Sequence, residues 1–185
     1  MPAAPAVRAP AVALSPPEEA SPGGDADVRG AVERQALAAR DELARTLGLA
    51  PPAIKLRFHP TPEAFERATG APWFVSGAAV NGELHLVPVG ALRDRGVLEQ
   101  TIRRALVHAL VDGPLGDRPA WVREGAALFY ADRQRASGTE LKGRCPTDSE
   151  LGRPVSIGAL STAYARAKAC FARQISAGRS WRDVR

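Results

Sequence analysis

His108 and Glu124 are the residues whose types and spacing could perform chemistry. His108 closes the sequence R-A-L-V-H in one predicted helix, and Glu124 lies sixteen residues later, near the start of a second predicted helix, in W-V-R-E-G. Imidazole and carboxylate groups that meet between two helices can bind zinc or transfer protons. Arg104 precedes His108 by four residues, so both side chains are expected on the same side of the helix. His108 and Glu124 are therefore the candidate site residues, with Arg104 beside them.

The stretch 101–131 resembles the core of the gluzincins, a large class of zinc peptidases, and in particular their bacterial peptidase-MA-like members. In that class an H-E-x-x-H helix supplies two histidine ligands and a general-base glutamate, and a glutamate from a following helix is the third ligand. The second half of the pattern is present as W-V-R-E-G, with Trp121, Glu124 and Gly125, followed by Phe129 and Tyr130. The resemblance covers residues 28–135 and implies a zincin-like fold, in which the strand G-E-L-H-L-V-P-V lies as an edge strand along a cleft.

The first half of the pattern is altered at two positions. If His108 corresponds to the second histidine, Arg104 stands at the first-ligand position and Ala105 at the general-base position. A guanidinium stays protonated and offers no lone pair to a metal, and the methyl group of alanine cannot deprotonate water. His108 and Glu124 alone fall short of the three protein ligands of a catalytic zinc site. The resemblance thus implies a peptidase-like domain without peptidase activity and without a cofactor, which acts as a binding or structural module.

A shifted alignment leaves a second possibility, an active zinc peptidase. With His108 as the first histidine, Asp112 lies one turn later, and the set of His108, Asp112 and Glu124 could hold zinc. The base position would then be Ala109, which supplies no carboxylate. His85, in the strand before the helix, could serve as a substitute ligand, although a partly exposed strand histidine is the expected state.

The ordinary explanation for His108 and Glu124 is a hydrogen-bonded core histidine and a carboxylate at a helix N-terminus. The resemblance favours a more specific one. A buried carboxylate that has lost its metal is destabilising unless another cation pairs with it, and Arg104 is placed to do so. We therefore predict that Arg104 pairs with Glu124 as a surrogate for the metal, and side chains that point into different solvent regions would contradict this.

The elements that must position these residues follow from hydrophobic periodicity and turn residues. Asn81-Gly82, between two apolar segments, is the strongest hairpin pattern in the chain. The predicted elements are helix 27–48, strand 54–58, helix 61–70, a hairpin within 73–89, one long helix 90–112, helix 120–135, a polar loop 136–155 and helix 156–177. This order predicts a small α+β fold with the long helix against one face of the sheet.

The composition is ordinary for a globular chain, with 45% hydrophobic and 24% charged residues. We expect a single domain over 27–185, with 136–185 as its C-terminal helical part, after an Ala/Pro-rich disordered leader or linker at 1–26 that has no clear signal peptide. The sequence is also compatible with a longer parent protein. No apolar run reaches the length of about 18 residues that a membrane-spanning helix requires.

The formal net charge of +5 is unevenly distributed, since residues 133–185 carry eleven basic and four acidic side chains. Such a bias can indicate a nucleic-acid binder, but the arginines are dispersed and no recognised binding module accompanies them. We therefore expect no nucleic-acid partner. The expected partner is an extended peptide or protein that adds as a strand in the cleft.

Cys145 and Cys170 bear on the compartment. As a disulfide they would close a loop of about 25 residues, which stabilises by about 3 kcal/mol in the chain-entropy model. The alternative is two unrelated buried thiols in a cytosolic protein. A bond between them would favour an extracytoplasmic location, and the sequence leaves both possibilities open.

Overall fold

The computed structural model describes residues 22–133 and 143–185, which form a mixed α+β domain. The helices are α1 (Pro22–Leu47), α2 (Pro62–Thr69), α3 (Val89–Asp94), α4 (Leu98–Val111), α5 (Ala120–Ala131), α6 (Asp148–Gly152) and α7 (Ile157–Ser176). The strands are β1 (Lys55–Phe58), β2 (Gly77–Val80) and β3 (Glu83–Leu86), and a 3-10 helix follows at Trp181–Asp183. Most of the predicted leader and the start of the predicted polar loop lie outside the described residues. Within those residues no helix is long and apolar enough to cross a membrane.

The helix termini follow the capping residues in the sequence. Thr61 accepts a hydrogen bond from the backbone of Ala64 at the start of α2, and Gly70 ends that helix in the left-handed conformation. Gly48 ends α1 in the same conformation, as predicted. The helix α1 begins at Pro22 rather than at residue 27, so the last residues of the predicted leader belong to it.

The three strands form one sheet in the order β1-β3-β2. The strand β1 is parallel to β3, and β2 is antiparallel to it. Asn81 and Gly82 connect β2 to β3 with φ angles of 50° and 77°, the combination that a two-residue type I′ turn requires. The predicted hairpin is confirmed. The identity of the edge strand is different from the prediction, because β3, which contains His85, is the central strand and β2 lies at the edge.

The outer edge of β2 carries backbone groups that have no partner among the residues that the structure describes. In an antiparallel pair, opposed residues alternate between those that exchange hydrogen bonds and those that do not. The Val80–Glu83 pair closes the two-residue turn, and the backbone N–H of Val87 donates to the carbonyl of Ser76 at 3.1 Å. The pairs Val80–Glu83, Ala78–His85 and Ser76–Val87 are therefore the hydrogen-bonded ones. The pairs between them are not, so the N–H and C=O groups of Gly77 and Ala79 point away from β3.

The predicted long helix 90–112 is interrupted, which corrects the sequence analysis. Gly96 has a φ of 66° and ends α3. Its N–H donates to the carbonyl of Arg93, and the N–H of Val97 donates to the carbonyl of Leu92, which is the Schellman pattern of a helix C-terminus. The chain turns there and starts α4, so the helix that carries Arg104 and His108 has its own orientation.

The helix α4 lies at the centre of the domain, where it contacts α1, α5 and both strands of the hairpin. Its buried apolar side chains face the core, among them Ile102, Leu106 and Val107. The helices α5 and α7 approach closely at Gly125, where an added Cβ would lie 2.6 Å from the carbonyl oxygen of Ala167. A residue without a side chain is therefore needed at position 125 by the packing of α5 on α7.

The short helix α6 lies within the segment 136–155, for which the sequence predicts a polar loop. Thr147 and Glu150 form a capping box at its start, in which each side chain contacts the backbone of the other residue. The T-x-x-E spacing of such a box is visible in the sequence. The side chain of Asp148 accepts a hydrogen bond from the backbone of Ala120 at 2.9 Å, so α6 is attached to the start of α5.

Candidate functional site

The candidate site lies in a cleft of about 570 Å³ between α4 and the edge strand β2. The helix α4 presents Thr101, Arg104 and His108 to the cleft, and Asp112 lies just after its last turn. These positions are three or four residues apart, so their side chains lie on one side of the helix. Residues of α5 and α7 complete the cleft, namely Glu124, Leu128 and Tyr164.

Four ionisable side chains contact one another in a row in this cleft, with basic and acidic groups alternating. Nη2 of Arg104 donates to Oε2 of Glu124 at 2.6 Å. The same carboxylate oxygen lies 3.6 Å from Nε2 of His108. Nδ1 of His108 donates to Oδ1 of Asp112 at 3.0 Å. The carboxylate of Glu124 thus contacts both cationic groups of α4, and the predicted contact between Arg104 and Glu124 is present.

Tyr164 of α7 was not anticipated from the sequence. The guanidinium carbon of Arg104 lies 4.3 Å from the centre of the Tyr164 ring, a cation–π contact. Burial raises the pKa of Tyr164, so the phenol stays protonated beside Arg104 at neutral pH. The ring holds the guanidinium between α7 and Glu124.

The protonation states follow from these contacts. Burial alone would lower the pKa of His108, but the hydrogen bond to Asp112 and the carboxylate of Glu124 outweigh it and raise that pKa from 6.5 to about 9. Burial alone would raise the pKa of Glu124, but His108 and Arg104 hold it at about 2. At neutral pH the cleft therefore contains two cations and two carboxylates in direct contact.

Comparison of the chain with protein-family models, with curated proteins and with solved structures gave no match. The site has to be interpreted from its own residues.

The side chains at this site do not fit a zinc ion. The two carboxylates that could join His108 lie at opposite ring nitrogens, Asp112 at Nδ1 and Glu124 at Nε2. A zinc ion binds an imidazole through one nitrogen, so this arrangement does not place both carboxylates and His108 around one ion. Oε2 of Glu124, the carboxylate oxygen nearest His108, already accepts a hydrogen bond from Arg104. Within the described residues no group of three or more His, Cys, Asp or Glu side chains could hold a metal ion.

The remaining positions of the motif lie in the core. Ala105, which the resemblance aligns with the general-base position, is buried and does not line the cleft. Trp121 is buried at the start of α5, and Gly125 faces α7. These two residues therefore shape the packing that carries Glu124 and do not contact the cleft.

His85 is not a substitute ligand, and the expectation that it is partly exposed is wrong. It is 8% exposed on the central strand and does not line the cleft. Its Nδ1 lies 2.9 Å from Nε2 of His59, and its Nε2 lies 3.5 Å from a carboxylate oxygen of Glu83. Burial, together with the neighbouring His85 and Arg57, lowers the pKa of His59. Because successive side chains of a strand point to opposite faces, His85 lies on the face of the sheet that is turned away from α4.

Cys145 and Cys170 form a disulfide, with Cα atoms 5.8 Å apart. Cys170 lies in α7, six residues after Tyr164, and Cys145 lies in the segment before α6. The bond therefore fastens the connection between α5 and α6 to the helix that supports Arg104.

The His108 shift predicts a loss of stability at alkaline pH. The folded-state pKa of about 9 lies above the unfolded value of 6.5. The stabilisation from a protonated His108 is therefore complete below pH 6.5 and disappears as the pH rises through 9. At 1.36 kcal/mol per pKa unit the expected decrease in unfolding free energy is about 3 kcal/mol. Urea unfolding between pH 6.5 and pH 9.5 measures it.

The matched control for this prediction is His108→Gln, which keeps a hydrogen-bonding side chain but does not titrate. Its unfolding free energy should change far less over the same pH range. An NMR titration that places the pKa of His108 near 6.5 would contradict the prediction directly.

Proposed function

We propose that this chain is a peptidase-like domain that has lost its catalytic metal centre and that binds an extended peptide in the cleft between α4 and β2. The observation that carries the proposal is the contact of Glu124 with both Arg104 and His108. In the gluzincin pattern, Arg104 stands at the position of the first metal ligand, His108 at that of the second and Glu124 at that of the third.

The chemistry of the substitution supports this interpretation. The side chain of Glu124 is 24% exposed and that of Arg104 is 26% exposed, so most of the pair is removed from water. A carboxylate in that environment is destabilising without a cation. Arg104 supplies a positive charge where the family would have a metal ion, and it supplies it without Lewis acidity or a bound water. Ala105 adds no general base.

The edge strand supports the choice of a peptide as ligand. The outward N–H and C=O groups of Gly77 and Ala79 lie along the cleft. Strand addition to such an edge gives affinity through backbone hydrogen bonds and specificity through the pockets for alternate side chains. Hydrolysis by the zinc-peptidase mechanism needs a metal-activated water, but strand addition does not. Binding is therefore the function that this cleft can retain.

Metal content and peptide retention test the proposal together. We expect substoichiometric zinc by elemental analysis of the purified protein. We expect the immobilised domain to retain peptides from a pool of capped random decapeptides without cleaving them, as measured by mass spectrometry. One equivalent of zinc together with cleaved peptides would establish the alternative, an active peptidase that uses His108, Asp112 and Glu124.

Ala79→Pro is the variant that tests the edge strand. Proline is tolerated on an edge strand where its missing N–H would face outward, so the fold should persist with an unchanged melting temperature. The same change removes an outward donor and should abolish peptide retention. Unchanged retention by this variant would show that peptides do not add to β2.

The disulfide supports a location in an oxidising compartment, where such bonds persist. We propose an extracytoplasmic domain on that basis. Trapping of free thiols in cell extracts should find Cys145 and Cys170 protected, and quantitative alkylation of both without a reductant would contradict the assignment.

A further inference from the structure

The two carboxylates that line the cleft are already paired. Glu124 accepts from Arg104 and lies beside His108, and Asp112 accepts from His108 at 3.0 Å. No other acidic residue of the described chain lines this cleft. A basic ligand would therefore have to displace a cation that the protein supplies itself.

The cationic groups have donors left over. Arg104 donates to the side chains of Glu124 and Tyr164, but a guanidinium has five N–H donors, and the side chain is 26% exposed. Arg95 lies at the end of the cleft near Val97 and is exposed. Its Nε donates to the carbonyl of Ala91, and within the described residues its terminal nitrogens take part in no ion pair. The open hydrogen-bonding capacity of the cleft is therefore cationic.

The pairing within the lining singles out Arg95. Glu124 accepts a hydrogen bond from Arg104, and Asp112 is hydrogen-bonded to His108. Arg95 is the charged residue of the lining for which the described residues provide no ion-pair partner. An unpaired cation in a cleft attracts ligands of opposite charge.

We infer that the cleft binds an acidic extended peptide and that Arg95 selects for its carboxylates, an inference that rests on the proposed function. The walls add a second requirement, because Phe74, Val75, Val97 and Leu128 present apolar surface. Successive side chains of an extended peptide point to opposite sides. A ligand in which acidic and apolar residues alternate therefore places one set toward the apolar walls and the other toward Arg95.

Three capped, fluorescently labelled octapeptides test the inference, in which valine alternates with glutamate, with glutamine or with lysine. Capping removes terminal charges, so the peptides differ only in their side chains. Fluorescence anisotropy should show the glutamate peptide binding about tenfold more tightly than the glutamine peptide, a difference of about 1.4 kcal/mol, with the lysine peptide weakest. This preference should shrink between about 50 and 300 mM salt because exposed charges are screened.

Arg95→Gln should reduce the preference for glutamate over glutamine to near unity. The matched control is Arg45→Gln, because Arg45 is also exposed and its Nε also donates to the carbonyl four residues earlier, that of Asp41 at 3.2 Å. Arg45 does not line the cleft, so its replacement should leave the preference intact. An equal loss in both variants would assign the preference to the net charge of the whole protein and overturn the role of Arg95.

The two proposals can fail separately in these assays. Equal binding of the three octapeptides, or tightest binding of the lysine peptide, would overturn the inference and leave peptide binding in place. Retention of random decapeptides without binding of the glutamate peptide would likewise overturn the inference and leave the proposed peptide binding in place. The absence of retention of any peptide would refute the proposed function and the inference with it.

Discussion

Replacement of Arg104 by histidine is expected to convert the ion-pair cluster into a zinc site. The new imidazole would lie four residues before that of His108, so both would face the cleft from one side of α4. Glu124 already contacts both positions, at 2.6 Å from Nη2 of Arg104 and 3.6 Å from Nε2 of His108. Two imidazoles and a carboxylate are a ligand set of catalytic zinc centres.

The surroundings of His108 favour metal binding in this variant. Its Nδ1 already donates to Asp112 at 3.0 Å, which orients the ring and leaves Nε2 for the metal. A carboxylate behind a ligating histidine is the usual outer partner of a zinc site. The same change removes the cation that now occupies the carboxylate of Glu124. Zinc binding therefore requires no new residue other than the one at position 104.

The expected result for Arg104→His is one equivalent of zinc by elemental analysis and a rise in melting temperature with added zinc. At a free zinc concentration of one hundred times Kd, the stabilisation should be about 2.7 kcal/mol. No peptide hydrolysis is expected, because Ala105 supplies no general base. The wild-type protein should show neither the zinc content nor the thermal shift.

Two controls separate a specific zinc site from nonspecific binding. Arg104→Gln removes the cation without adding a ligand, and Arg104→His combined with His108→Gln adds one ligand while removing another. Both should bind zinc far more weakly than Arg104→His alone. Equal zinc content in all three variants would show that these positions do not have the geometry of a lost metal centre.

The contact between Arg104 and Glu124 was predictable because the resemblance to the gluzincin pattern, together with helical periodicity, pairs these two positions. Helical periodicity places positions 104 and 108 on one side of α4, and the W-V-R-E-G pattern fixes where α5 begins. The hairpin at Asn81-Gly82 is local, since its turn type is determined by two residues. The prediction of the turn needed two adjacent residues. The prediction of the contact needed the four-residue spacing within α4 and the W-V-R-E-G pattern of the resemblance.

The features that were missed depend on contacts between distant segments. Tyr164 reaches Arg104 from a helix sixty residues later in the chain, and no local pattern marks it. The sequence predicts His85 in the cleft because it predicts β3 as the edge strand, whereas β1 pairs with β3 beyond α2 and β2 and makes β3 central. Sheet order is a long-range property, and a strand of four residues carries no indication of it.

Replacement of Arg103 by methionine should lower the unfolding free energy by about 1.5 to 3 kcal/mol, the range for the loss of hydrogen bonds to a charged group, because the side chain of its partner Glu42 is 36% exposed and stays hydrated. Arg103 is 1% exposed. Its two terminal nitrogens donate to the two carboxylate oxygens of Glu42, each at 3.0 Å, and its Nε donates to the carbonyl of Ala131 at 3.0 Å. The side chain thus joins α4 to α1 and to the end of α5, and methionine fills the volume without any of these bonds.

Arg103→Lys distinguishes charge from geometry at this position. Lysine keeps the positive charge, but its ammonium group cannot donate bidentately to Glu42 while also reaching a carbonyl on α5. It should recover only part of the loss. Full recovery of stability in urea unfolding would mean that the charge alone matters and that the forked geometry contributes nothing.

The neighbouring Arg104 is the matched control, because the two arginines are indistinguishable in sequence and differ by about 100° of helix rotation. That rotation places Arg103 in the core and Arg104 in the cleft. Arg104→Met should be less destabilising, since Arg104 is 26% exposed and Glu124 keeps its contact with His108. A larger loss of unfolding free energy for Arg104→Met than for Arg103→Met would contradict the interpretation that Arg103 stabilises the fold and Arg104 belongs to the site. The difference in unfolding free energy between the two variants therefore measures how much more Arg103 contributes to the stability of the fold than Arg104 does.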